Sequence, residues 1–85
     1  MNVKDFIGKT LTWEHIEPEY RNDPRYPINI PKAVVESIIR EYKYKLKVLL
    51  NTGHHHTVMD IPKATVEKLF SAGACQVGAY ILTMK

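Results

Sequence analysis

Ile30-Pro31-Lys32-Ala33-Val34-Val35-Glu36 recurs 31 residues later as Ile61-Pro62-Lys63-Ala64-Thr65-Val66-Glu67, identical at six of seven positions. A repeat at fixed spacing sets the architecture before any other signal. It predicts two similar half-domains, residues 28–58 and 59–85, facing each other across a pseudo-two-fold axis. Residues 1–27 then form an N-terminal strand and a Pro-rich loop, and the 85 residues make a single domain.

Outward from the repeat, the pattern reads as β, then β-α-β, then β-α-β. Thr10 to Glu17 alternates, with Leu11 and Trp13 on one side and Thr12 and Glu14 on the other, as in a strand. Ile28-Asn29-Ile30 is a short strand. Pro31 opens a helix running to about Tyr42, with Val35, Ile38, Ile39 and Tyr42 on one face and Asn29 as its N-cap. Lys43 to Asn51 is a strand with Lys43, Lys45 and Lys47 on one face and Tyr44, Leu46, Val48 and Leu50 on the other. Asn51-Thr52-Gly53 is a turn, and His54 to Asp60 the returning strand.

In the second half Asp60 stands where Asn29 stood, as a cap. Val66, Leu69 and Phe70 form the apolar face of a helix that Gly73 ends, and Cys75 to Met84 is a last, buried strand. Two β-α-β units joined by a hairpin define a ferredoxin-like split β-α-β arrangement, an α+β fold with both helices on one sheet face.

The segment Ile61-Pro62-Lys63-Ala64-Thr65-Val66-Glu67-Lys68-Leu69, followed by Gly73 and the strand at Val77, also resembles the AbrB-type swapped-hairpin regulators. In that family a strand ends in Ile-Pro, a short helix follows, and a glycine turn leads to another strand. The resemblance implies an alternative fold, a dimeric DNA-binding barrel. The first copy departs from the pattern, with Glu41-Tyr42-Lys43 in place of the glycine. No DNA-contacting residue is assigned through it.

Composition restricts the function classes. Apolar residues are 45% and charged residues 25%, enough to bury a small core. Cys75 is the sole cysteine, so no internal disulfide forms, which fits a reducing compartment. No run has the length of a membrane span, and residues 1–9 lack the apolar core of a signal peptide, so a cytoplasmic location is expected. Net charge is +3, and residues 28–50 alone hold five bases against two acids. That concentration points to an anionic partner.

The leading expectation is therefore a small non-enzymatic nucleic-acid-binding or regulatory protein, a homo-oligomer, that contacts phosphates through a basic strand. Lys43, Lys45 and Lys47 would repeat about every 7 Å along it, with Lys32 and Arg40 joining from the first helix. The alternative is a protein-binding inhibitor or adaptor, such as a viral accessory protein blocking a host enzyme. It would use Tyr20, Arg21, Arg25 and Tyr26 in the Pro-rich loop, residue types that dominate binding hot spots. A third reading is a sponge for an anionic nucleotide. No catalytic residue and no cofactor are expected: phosphate loops, dinucleotide glycine motifs and nucleophile elbows are missing from the sequence. His54-His55-His56 has no diagnostic ligand spacing, so no biological metal is assigned to it.

Overall fold

The computed structural model describes residues 2–21, 24–25 and 31–85. Over these residues it is a small α+β fold with one α-helix and a six-stranded antiparallel sheet. The strands are β1 (Thr10–His15), β2 (Lys32–Glu41), β3 (Lys45–Asn51), β4 (His56–Pro62), β5 (Ala74–Val77) and β6 (Tyr80–Met84), and the helix is α1 (Lys63–Ala72). Spatial order is β4-β3-β2-β1-β6-β5.

From its lysine onward the first copy of the repeat is a strand and the second is a helix. Lys32 to Glu36 opens β2, whereas Lys63 to Glu67 opens α1. The helix expected from Pro31 to Tyr42 is therefore corrected to a ten-residue strand, and 28–58 and 59–85 are not mirrored modules. The flanking residues account for the difference. Val34, Val35, Ile38 and Ile39 are β-branched and suit a pleated, half-buried surface. Lys68, Leu69, Phe70 and Ala72 after the second copy carry no β-branch, and Leu and Ala are strong helix formers. Two register shifts in β2, between Val35 and Ser37 and between Ile38 and Arg40, insert an extra residue each. They carry the inward side chains from Ala33 and Val35 to Ile38, a spacing that imitates a helix.

With β2 in the middle of the sheet, ferredoxin-like connectivity does not arise: a single helix carries the chain from the β4 edge to the β5 edge. Alone, a ten-residue helix is marginal in water. Burial of Val66 and Leu69 against the sheet stabilises it, each such side chain contributing about 1.5–3 kcal/mol. Gly73, at φ +79°, ends it, and its N–H donates to the Leu69 carbonyl at 2.8 Å. Asp60 is not its cap. Pro62 occupies that position without a side-chain bond, and Asp60 lies on β4.

One sheet face is the core. Leu11, Val35, Leu46, Val48 and Leu50 are fully buried on it beneath α1. Phe6, from a 3₁₀ turn at Val3–Phe6, plugs one side with its ring 6.2 Å from Phe70. Gly8 and Lys9 extend the pairing along β2: Gly8 N–H donates to the Val35 carbonyl at 2.7 Å, and Val35 N–H to the Lys9 carbonyl at 2.9 Å. The single strand expected at Cys75–Met84 is a hairpin, broken at Gly78 (φ +62°) and Ala79, with glycine first in a two-residue loop.

Candidate functional site

The β2–β3 hairpin collects most of the cations singled out in the sequence, in a different arrangement. Arg40 comes from a strand rather than a helix and is paired in register with Lys47. Lys45 and Lys47 share the face away from the core, because Leu46, Val48 and Leu50 take the buried side. Lys43 is in the turn, off the stripe, and Lys32 lies at the far end of β2. Eight residues of extended chain separate Lys32 from Arg40, about 26 Å. The five proposed cations do not form one row.

The structure brings Arg40, Lys43 and Lys45 together around two tyrosines. The Arg40 guanidinium carbon and the Lys45 ammonium each lie 5.0 Å from the Tyr42 ring centroid. The Lys43 ammonium lies 5.3 Å from the Tyr44 ring, itself 75% exposed. These distances are within cation–π range. Tyr44 was expected opposite the lysines on the buried side of the strand. It stands instead in the turn, because β3 begins only at Lys45. The signal for this cluster is the Arg-x-Tyr-Lys-Tyr-Lys-x-Lys alternation from Arg40 to Lys47, which a helix ending near Tyr42 and a strand starting at Lys43 would split between two elements.

The tip is held from both sides. Tyr42 N–H donates to the Lys45 carbonyl at 2.9 Å, and Lys63 N–H, at the start of α1, donates to the Tyr44 carbonyl at 2.8 Å. Lys63 Nζ donates to Glu41 Oε2 at 2.6 Å, and Lys45 Nζ to Asp60 Oδ2 at 3.2 Å. Both pairs are exposed to solvent and so worth little in stability. Arg40, Lys43, Lys45, Lys47 and Lys63 stand here with the carboxylates Glu41 and Asp60, which pair with Lys63 and Lys45, so cations outnumber acids five to two in this group. Among the described residues, Lys43 and Lys47 make no ion pair.

The Pro-rich loop is engaged with its own domain where it is described. Arg21 Nε donates to the His15 carbonyl at 3.0 Å and lies 3.6 Å from Glu14 Oε2. The Tyr20 ring meets His15 edge-on at 6.1 Å. His15, 5% exposed, stacks on Tyr80 at 4.6 Å between centroids. Arg25 is exposed, and Tyr26 lies outside the described residues, as do Ile28, Asn29 and Ile30.

Of the histidines, His54 and His55 lie in the β3–β4 turn, and only His56 is on the strand, which corrects the expected start of β4. Asn51 and Thr52 side chains accept the turn's N–H groups, with Gly53 N–H at 2.8 Å from Asn51 Oδ1. Glu36 takes Asn51 Nδ2 at 2.8 Å and lies 2.9 Å from His56 Nε2. Among the described residues no three His, Cys, Asp or Glu side chains are grouped to hold a metal ion. An open depression of about 330 Å³ lies beside this turn, with Lys32 the one cation among the described residues of its lining.

No family model, curated protein or solved structure matches the chain. Among the described residues no helix is long and apolar enough to cross a membrane.

Proposed function

We propose that this protein binds single-stranded nucleic acid through the tip of the β2–β3 hairpin and acts by occupying the strand. The observation that carries the reading is the Tyr44 ring, 75% exposed at a braced turn, with the Lys43 ammonium 5.3 Å from its centre and Arg40 and Lys45 on the neighbouring Tyr42. Single-strand binders combine aromatic faces, on which bases stack, with cations that follow the phosphates. A base on Tyr44 places its flanking phosphates beside Lys43 and Lys45, and each neutralised phosphate releases counterions. Backbone bonds from Lys45 and Lys63 fix the turn beforehand, which lowers the ordering cost of binding. Duplex is disfavoured because its bases are already stacked and offer no face to the tyrosine.

The test is fluorescence anisotropy of a labelled single-stranded oligonucleotide, titrated at several salt concentrations. Tyr44→Ala is expected to weaken binding about 5- to 150-fold, the worth of one base–aromatic stack. Lys43→Ala is expected to reduce the slope of log K against log salt by about 0.7. Unaltered affinity in Tyr44→Ala, or no binding by the wild type at low salt, rejects the reading.

A further inference from the structure

Strand β4 is an edge of the sheet: β3 pairs with it on one side, and among the described residues no strand pairs with the other. Two backbone bonds fix which of its residues point outward. Thr52 N–H donates to the His55 carbonyl at 3.0 Å, and Lys63 N–H to the Tyr44 carbonyl at 2.8 Å, so both of these are hydrogen-bonded pairs. Such pairs alternate with non-bonded ones along an antiparallel ladder. Counted through the register from either end, Thr57, Met59 and Ile61 bond to β3, while His56, Val58 and Asp60 direct their N–H and C=O groups away from it. Edge strands are commonly guarded by lysine, proline, a bulge or shortness. The other edge, β5, is only the four residues Ala74–Val77. Strand β4 runs seven residues, pairs with β3 without a register shift, and has neither lysine nor proline before Pro62. Val58, at its middle, is 52% exposed.

We infer that β4 pairs edge to edge with β4 of a second copy, antiparallel about a two-fold axis that passes by Val58 and stands normal to the sheet. In that register every outward residue meets an outward residue: Val58 meets Val58 of the second copy, and His56 meets its Asp60. Each such pair exchanges both backbone bonds, so the N–H and C=O groups left open on His56, Val58 and Asp60 are all satisfied. Moving the axis to Thr57 sets Asp60 against the turn at His54, and moving it to Met59 sets His56 against Pro62, which has no N–H. The side chains select a second copy over an unrelated strand, because the sequence of β4 complements its own reversal. Valine meets valine at the centre, and imidazole stands beside carboxylate on the solvent side. On the α1 side, half-buried Thr57 meets half-buried Met59. The pairs made within one chain are kept: Glu36, His56, Asp60 of the second copy and its Lys45 follow in a line, carboxylates alternating with bases. Both copies of α1 lie on the same face of the continuous sheet. One strand pair is a small contact, in the weak and concentration-dependent class. The inference does not depend on the hairpin-tip reading, since its test measures mass and cross-linking alone.

Sedimentation equilibrium of the intact protein between about 1 µM and about 1 mM is expected to show monomer passing to dimer. Val58→Pro deletes an N–H that makes no bond to β3, so the monomer keeps its ladder. It removes two bonds from the symmetric contact and is expected to loosen the dimer about thirtyfold or more. Val58→Lys leaves the backbone intact, sets like charges opposite each other at the axis, and is expected to weaken association in the same direction. Cysteine variants in a Cys75→Ser background read the register. Opposed residues of a bonded pair have Cα atoms about 5.5 Å apart, within disulfide reach. Val58→Cys is expected to cross-link by itself on oxidation, whereas His56→Cys and Asp60→Cys cross-link only when the two proteins are mixed. A wild type that stays monomeric throughout overturns the inference. So does a dimer indifferent to both Val58→Pro and Val58→Lys, or one in which mixing His56→Cys with Asp60→Cys gives no more cross-linking than either protein alone.

Discussion

Lys32-Ala33-Val34-Val35-Glu36 and Lys63-Ala64-Thr65-Val66-Glu67 differ at one position, yet one lies in the middle of the sheet and the other forms the first turns of the only helix among the described residues. Both follow a proline, and both bury their shared valine completely: Val35 in the strand and Val66 in the helix. Neither the motif nor the hydrophobic demand distinguishes them. The residues after them do. Ser37-Ile38-Ile39 continues one copy with β-branched side chains on a bulged strand, while Lys68-Leu69-Phe70 continues the other with a contact face at helical spacing and a glycine stop. A heptapeptide is too short to choose between a helix, which needs its own following turn, and a strand, which needs neighbours far away in sequence.

Proline placed at equivalent sites breaks this comparison most severely. Ala33→Pro removes a ladder hydrogen bond from a strand bordered on both sides and forces a ring into a closed site, costing about 3 kcal/mol or more. Ala64→Pro falls in the first turn of α1, where the backbone N–H needs no helical partner, and costs about 1 kcal/mol. Chemical denaturation should show the first variant largely unfolded and the second folded with a modestly lowered midpoint.

Valine-to-alanine substitutions sharpen it. Val35→Ala and Val66→Ala each remove the same methyl groups from fully buried positions, a loss of about 1–3 kcal/mol. Alanine favours helix and disfavours strand, so Val35→Ala should cost about 1 kcal/mol more than Val66→Ala. Equal losses in urea melts would show that conformation contributes nothing at these sites.

The smallest effect is at Asp60. As a helix cap its loss would cost about 1 kcal/mol; as the exposed partner of Lys45 it costs under about 0.5 kcal/mol. Asp60→Ala should give the smaller value, and high salt should remove the difference from wild type.

Three parts of the fold were legible along the chain because their signals are local. β1 and β3 alternate strictly, with Leu11 and the Leu46, Val48, Leu50 series inward. Helix α1 shows Val66, Leu69 and Phe70 at helical spacing, then Gly73. Strand β2 was not legible, because its two bulges lengthen the inward spacing from two to three residues, and a period of two read through bulges imitates a helix. The break at Gly78-Ala79 leaves little local signal, because Val77 before it and Tyr80-Ile81-Leu82 after it keep the segment apolar.

The candidate site divides the same way. The lysines and tyrosines of 40–47 are evident in the sequence, but which of them share a surface depends on where β3 begins. That start is set by its pairing with β4, as Lys45 opposes Pro62 and Leu46 opposes Ile61.

By itself the amino-acid sequence determined the inward series Leu46, Val48 and Leu50, the helix at 63–72 with its stop, and the basic, tyrosine-containing segment after the first repeat. Only the tertiary structure decided that the first repeat is a strand, that Tyr44 stands exposed among cations, and that Glu36 and His56 share a face with Arg40. The physical reason is range. Helix periodicity and glycine stops act within a turn or two of chain, whereas a bulged central strand is stabilised only by β1 and β3 on either side of it, and no local pattern records those partners.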